Sequence, residues 1–297
     1  MNKIIILTLL FSFSSAVLSA TRFATYNIRH FDSQSTRTNK AELKNILDDL
    51  GADFITVEEI VNTSSFKTFL QKNYPNFRVV FSRCGGGGKQ KIGFVYNAFK
   101  FKLNKYYEDA RFSDPAAPSG QASCGRLRPV LVGHFEKLKT REEFVVLGVH
   151  LKAGGQASSY STRKIQYVML GNLIKEIKRK GQNNILIMGD FNTTGYNLND
   201  RDYHNFSDML ADVRMDTVAQ KISCTAYWSG ANRSDNIEES SILDHIVYPA
   251  NFLGDRAQAI EVHSHCKRVN CRNTSEKRLG ISYKEVTDHC PVSITFN

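Results

Sequence analysis

Five apolar, strand-like runs in this 297-residue sequence adjoin side chains capable of acid–base chemistry. Residues 54–57 run into Glu58-Glu59, residues 145–149 into His150, and residues 185–188 into Gly189-Asp190-Phe191-Asn192. Asp244 sits inside the run 243–247, and Thr287-Asp288-His289 precedes the last run, 292–296. Buried strands deliver their ends to a common edge of a sheet, where polar groups can converge. A histidine with an ordinary pKa of about 6.5 either takes or gives a proton at working pH. Singly, each feature has a plain structural reading: Gly189-Asp190 as a turn, Glu58-Glu59 as solvated charges, His150 as an edge histidine, Asp244 as the partner of a basic neighbour. Their combination and order point to chemistry.

The elements that would hold these groups alternate between strand and helix. Strands are expected at 23–28, 54–57, 77–81, 92–101, 127–135, 144–149 and 185–188, then at 222–227, 243–247, 259–262 and 292–296. Leu43, Ile46, Leu47 and Leu50 recur at helical spacing before Gly51. Ile165, Met169, Leu173 and Ile177 mark a long amphipathic helix over 160–180. No linker, repeat or low-complexity stretch interrupts residues 22–297, so a single domain is expected over 21–297. Mixed strands with few long helices imply an α/β fold of two packed sheets flanked by helices. The glycines at 85–88 read as a hairpin tip, since no helix start follows them.

Composition narrows the class. Hydrophobic residues at 41% and charged residues at 23% exclude disordered, collagen-like and coiled-coil chains. Lys3, the apolar run 4–13 and the small residues up to Ala20 form the pattern of a cleaved secretory leader over 1–20. That run is short for a bilayer-spanning helix and no later stretch is apolar enough, so no stable membrane insertion is expected. Export to the periplasm or the outside medium fits the six cysteines, which an oxidising compartment would pair. Spacing does not choose among the pairings, although Cys266 and Cys271 are near enough to close a small loop. Losing Lys3 with the leader takes the net charge only from +10 to +9, so the exported chain stays strongly basic and favours polyanionic partners.

The ordered set of motifs resembles the endonuclease/exonuclease/phosphatase superfamily, which includes DNase I, abasic-site endonucleases, sphingomyelinases and inositol polyphosphate phosphatases. The pieces are Thr25-Tyr26-Asn27-Ile28, residues 52–59 ending in Glu58-Glu59, Gly148-Val149-His150-Leu151, Met188-Gly189-Asp190-Phe191-Asn192, Leu243-Asp244-His245-Ile246 and Thr287-Asp288-His289-Cys290-Pro291-Val292. The resemblance spans nearly the whole chain after the leader and implies a DNase I-like four-layer α/β sandwich of two mixed β-sheets flanked by helices.

Carried over residue by residue, the resemblance makes Glu59 the principal metal ligand, with Asn27 and Asp288 completing the shell. Glu58, one position earlier, is expected to point to the opposite face. Oxygen ligands suit Mg²⁺ or Mn²⁺, and an auxiliary Ca²⁺ site is left open. His289 would be the general base, oriented by Asp244. Asp190 and Asn192 would hold the nucleophile and a phosphate oxygen. His150 would stabilise the transition state or protonate the leaving oxygen, and Arg128, before a strand, would contact the substrate phosphate. Where the DNase I branch has a glutamate pairing with this histidine, the chain has Gln90, which can orient His150 but does little for its cation. Arg163 is placed at the substrate, and with Gln166 forms an Arg-x-x-Gln feature that supports the site.

The implied function is a secreted, metal-dependent nuclease acting on DNA, and on RNA as a further substrate, with little sequence specificity and as a monomer. Phosphate contacts would supply most of its affinity. A sphingomyelinase-like phospholipase keeps the chemistry but calls for an exposed membrane-docking element, and none is evident in the sequence. A non-catalytic binding module on the same fold would have lost active-site residues, and these are present. Lys267, Arg268, Arg272, Lys277 and Arg278 cluster ahead of Asp288-His289, as a solvated basic loop or as a rim that tracks phosphates.

Overall fold

A computed structural model describes residues 20–115, 124–230 and 234–297. The leader expected over 1–20 lies outside the described residues except for Ala20. The strands in chain order are β1 (Thr21–Phe31), β2 (Phe54–Ile60), β3 (Phe77–Phe81), β4 (Lys91–Asn97), β5 (Phe101–Asp109), β6 (Val130–Lys137) and β7 (Glu143–His150). There follow β8 (Ile185–Asp190), β9 (Asp216–Thr217), β10 (Ala226–Trp228), β11 (Glu239–Ser241), β12 (Asp244–Tyr248), β13 (Ala257–Val262) and β14 (Val292–Phe296). The helices are α1 (Lys40–Leu50), α2 (Thr63–Asn73), α3 (Ala157–Arg179), α4 (Arg201–Val213), α5 (Ser264–Arg268) and α6 (Glu276–Glu285).

Two six-stranded mixed sheets form, in the orders β13-β14-β1-β2-β4-β3 and β5-β6-β7-β8-β12-β9, and β10 and β11 make a separate hairpin. Strand alternation then builds layers. Phe23, Phe54, Phe94, Phe135, Phe144, Met188 and Ile294 pack between the sheets. The opposite parity, Tyr26, Ile28, Ile55 and Val57, packs under α1 and α2 through Leu43, Ile46, Phe66 and Leu70. On the second sheet Val145, Leu147, Ile185 and Ile187 pack under α3 and α4 through Leu170, Ile174, Phe206 and Met209. The result is the expected four-layer α/β sandwich. Among the described residues, no helix is long and apolar enough to cross a membrane.

Several elements differ from the sequence reading. The run expected at 92–101 is two strands: β4 belongs to the first sheet and β5 to the second, with the chain crossing between them at Ala98-Phe99-Lys100. Apolar content is continuous across that turn, so periodicity does not reveal it. α2 and α4 were not anticipated, although Asn62 and Asp200 cap their first turns through side-chain oxygens. The cysteines pair as Cys84–Cys124, Cys224–Cys271 and Cys266–Cys290, so Cys266 and Cys271 do not close a loop with each other.

Candidate active site

At one end of the sandwich the inward-facing apolar positions give way to polar ones. Thr25 and Asn27 continue the row of Phe23, Glu58 that of Phe54, His150 that of Phe144 and Val146, and Asp190 that of Leu186 and Met188. β1 runs parallel to β2, and β7 parallel to β8, so these positions share one rim. His150 stands opposite Asp190, and Asp190 opposite Asp244 on β12. Gly189 permits this close approach: its φ is +148°, and a Cβ there would lie 2.0 Å from the Val149 carbonyl oxygen.

The His289 imidazole accepts or donates through Nδ1 to Asp244 Oδ2 at 2.8 Å, while its Nε2 faces Asp190 Oδ2 at 4.0 Å. Burial alone would depress this histidine, but Asp244, Asp190 and Asp288 outweigh it and hold the ring well above the usual histidine value. Asp190 is itself pushed up to about 7 by burial, against the opposing pull of His289. Its Oδ1 accepts from the Asn192 main-chain N–H at 2.8 Å. The Asn192 side chain donates to the Leu151 carbonyl at 3.4 Å, and its φ of +53° turns the chain sharply out of the site.

Asn27 Nδ2 donates to Asp190 Oδ2 at 3.0 Å and to Glu59 Oε1 at 3.3 Å. Glu59 also accepts from the His30 main-chain N–H at 3.0 Å, with the His30 ring 3.6 Å away. Asn27 Oδ1 is buried without a hydrogen-bond partner among the described residues. Two carboxylates meeting at an amide whose oxygen is orphaned form an oxygen-donor set that fits a hard divalent cation. Asp288 lies at the rim, half-exposed, with Arg29 Nε 3.9 Å from its Oδ1. Asp190, Asp244 and His289 also bring one ligating atom each within 4.8 Å of one another.

His150 is buried, its Nε2 3.5 Å from Asp190 Oδ2 and 3.8 Å from Glu59 Oε1. Burial, then the charges of Arg128, His289 and His30, hold it well below the usual histidine value. Arg128 donates to the carbonyls of His150 at 3.1 Å and Leu151 at 2.5 Å, which fixes the chain leaving β7.

A family model matches this architecture: the Endonuclease/Exonuclease/phosphatase family, over residues 24–289. The chain belongs to that family. Solved structures of similar fold include an endonuclease/exonuclease/phosphatase from Bacteroides vulgatus, at 15% identity and TM-score 0.65, covering 94% of this chain and 99% of that one. TDP2 of D. rerio, complexed with a single-strand DNA product, gives 15% identity and TM-score 0.63 over 94% and 99% of the two chains. A mannosyl-6-phosphatase of Bacteroides thetaiotaomicron gives 15% identity and TM-score 0.59 over 93% and 99%. At such identities the likeness concerns fold. No curated protein sequence matches significantly. Members of the endonuclease/exonuclease/phosphatase family are hydrolytic phosphoesterases that generally use divalent metal ions, and the buried acidic and histidine cluster accords with that.

Three expectations, one from strand alternation and two from the family resemblance, are corrected by the geometry. Glu58 does not face away from Glu59. Both enter the site region, because Glu59 adopts a left-handed backbone (φ +61°) where the strand register shifts, which breaks alternation. Gln90 does not hold His150 through Nδ1, which is buried without a partner among the described residues. Arg163 does not reach a substrate: fully buried, it pairs with Asp202 at 2.8 Å and donates to the carbonyls of Lys152 and Gly154 and to Thr194 Oγ1. Gln166 accepts from Lys152 N–H at 3.0 Å, so both members of the Arg-x-x-Gln feature brace the loop after His150. His30 was missed, although it stands at the end of β1 as His150 does at the end of β7.

Proposed function

We propose that this endonuclease/exonuclease/phosphatase family member is an exported, metal-dependent nuclease that hydrolyses DNA, and RNA as a further substrate, with little sequence specificity. The observation that carries the chemistry is the buried His289–Asp244 pair aimed at Asp190 beside the Asn27–Glu59 oxygen cluster. The polymeric substrate is supported by the +9 charge left after the leader, and export by the leader pattern and three disulfides.

In this reading Glu59, Asn27 and Asp288 hold Mg²⁺ or Mn²⁺. The bound ion would neutralise charge on the phosphate oxygens and, by its own charge, favour the deprotonated form of His289. His289 Nε2 takes the proton of the attacking water, and Asp244 stabilises the resulting imidazolium. Asp190 and the Asn192 amide hold that water and a non-bridging oxygen in line. His150, kept neutral, offers a hydrogen bond to the phosphate rather than a stored proton, Arg128 beside it adds positive charge, and the leaving oxygen takes its proton from solvent water as its bond to phosphorus breaks.

The test is degradation of supercoiled plasmid by the mature protein in Mg²⁺, with and without EDTA, alongside His289→Ala. Nicking that EDTA abolishes, and a loss of roughly 10²–10⁴-fold in the variant, is expected. A folded wild type that leaves DNA intact in both Mg²⁺ and Mn²⁺ overturns the nuclease reading.

A further inference from the structure

Beside the candidate site, residues 264–284 carry six Lys or Arg and a single acid, Glu276. They form a cavity of about 470 Å³ lined by Arg268, Asn270, Arg272, Asn273 and Arg278. Arg268 is a wall, since its guanidinium donates to the Leu279 carbonyl and to Ser282 Oγ. Arg272 and Arg278 are exposed, and neither forms an ion pair among the described residues. Of the carboxylates nearby, Glu238 accepts from Tyr283 Oη at 2.8 Å and Glu261 lies 3.5 Å from Lys267, while Glu276 is exposed at the start of α6.

The loop is braced by disulfides and hydrogen bonds and tied to the site. Cys271 is disulfide-bonded to Cys224, and Cys266 to Cys290, the neighbour of His289. Thr274 exchanges both main-chain hydrogen bonds with Glu238, at 2.7 and 3.0 Å, and Asn273 Oδ1 accepts from Ser240 N–H at 2.9 Å. Tyr227 spans the gap: its N–H donates to the Asp288 carbonyl at 3.0 Å and its phenol to the Arg272 carbonyl at 3.0 Å. One tyrosine thus separates the catalytic segment from the basic cavity.

We infer that this disulfide-braced cavity binds backbone phosphates of the nucleic-acid strand that extends from the scissile bond, with Arg272 and Arg278 as the contacting cations. The inference rests on the nuclease reading and adds where the polymer runs. Arg272 stands on the disulfide-braced loop and Arg278 on the first turn of α6, and their planar guanidiniums match phosphate oxygens bidentately.

The experiment measures binding of the mature protein to a fluorescein-labelled single-stranded DNA in EDTA, by anisotropy across a salt series. Arg272→Glu/Arg278→Glu is compared with wild type and with Lys102→Glu/Lys105→Glu, a charge-matched change on the β5 edge. The first double variant is expected to weaken binding at least about tenfold and to lower the log–log salt slope by about 1.4, about 0.7 for each lost phosphate contact on a single strand. Arg272→Gln/Arg278→Gln, with a melting temperature like wild type, should lose most of the same slope. Equal weakening by both charge reversals reduces the effect to net charge and overturns the assignment, as does wild-type affinity in the first. Tighter binding to phosphatidylserine vesicles than to DNA overturns it too. Since no turnover is needed, failure here is separate from failure in the plasmid assay.

Discussion

His150 and Asp190 face each other across the parallel strands β7 and β8, with Nε2 and Oδ2 3.5 Å apart, and burial moves their proton affinities in opposite directions. Burial, then Arg128, pushes the imidazole well down, and burial pushes the carboxyl up to about 7. At neutral pH the histidine is uncharged and the carboxyl is poised to exchange a proton with its surroundings.

That poise gives a pH dependence. Asp190 must be ionised to face His289 as a charge, so kcat/KM should fall on the acid side, the carboxyl's value of about 7 without the ion moving down once the ion's own charge is present. His289, raised well above the ordinary value, acts in the same direction, because its basic form is lost as pH falls. A pH–rate profile on a short oligonucleotide at saturating metal checks this. A flat profile down to about pH 5, well below these groups, refutes it.

Glu58 is a second test. Fully buried, its Oε1 accepts from Thr25 Oγ1 at 3.1 Å. Burial first, and then Asp244 and Asp190, raise its carboxyl well above the usual range, so it stays neutral. Glu58→Gln keeps the shape and neutrality, and should retain activity and melting temperature. Glu59→Gln should lose activity by at least about tenfold, since it removes a charge placed for a cation. Equal losses in the two variants would refute the distinction.

Acid stability should be limited by histidines buried neutral. His245 is held between Thr193 Oγ1 at 2.6 Å and Thr217 Oγ1 at 3.1 Å, and burial drops its pKa to about 3. The unfolded chain takes up this proton at about pH 6.5 while the folded chain does not. Stability present above that pH is therefore lost as pH falls, by about 2 kcal/mol at pH 5 for this one residue. Melting temperatures between pH 7 and 5 should decline, and less steeply in His245→Gln, once each is referred to its own value at pH 7.

Two disulfides brace the His289–Asp244 pair from behind. Cys290 follows His289, and its N–H donates to the Thr225 carbonyl at 2.7 Å. Thr225, beside Cys224, accepts through Oγ1 from the N–H groups of Leu243 and Asp244, both at 2.9 Å. Replacing Cys266 and Cys290 by serine should cost about 3–4 kcal/mol for the loop released. Activity should fall at temperatures where the protein is still folded. Calorimetry with plasmid nicking checks both, and an unchanged rate would detach the disulfide from the site.

The sequence alone determined the order of strands that carry or adjoin Asn27, Glu59, His150, Asp190, Asp244 and His289, because buried strands are legible as apolar runs and the polar residues in and beside them stand out. It also carried the family, the layered fold and the basic segment 267–278. Tertiary structure alone decided what depends on backbone torsion and long-range approach. The left-handed turn at Glu59 brings Glu58 and Glu59 into one region, against the period of two that any strand pattern assumes. Arg163 pairs with Asp202, 39 residues away, where a motif placed it at the substrate. The cysteine pairs, the switch of sheets between β4 and β5, and Tyr227 reaching from Asp288 to Arg272 are contacts that no local spacing encodes. Periodicity records which way a side chain faces within its own element, and only packing sets what waits on the other side.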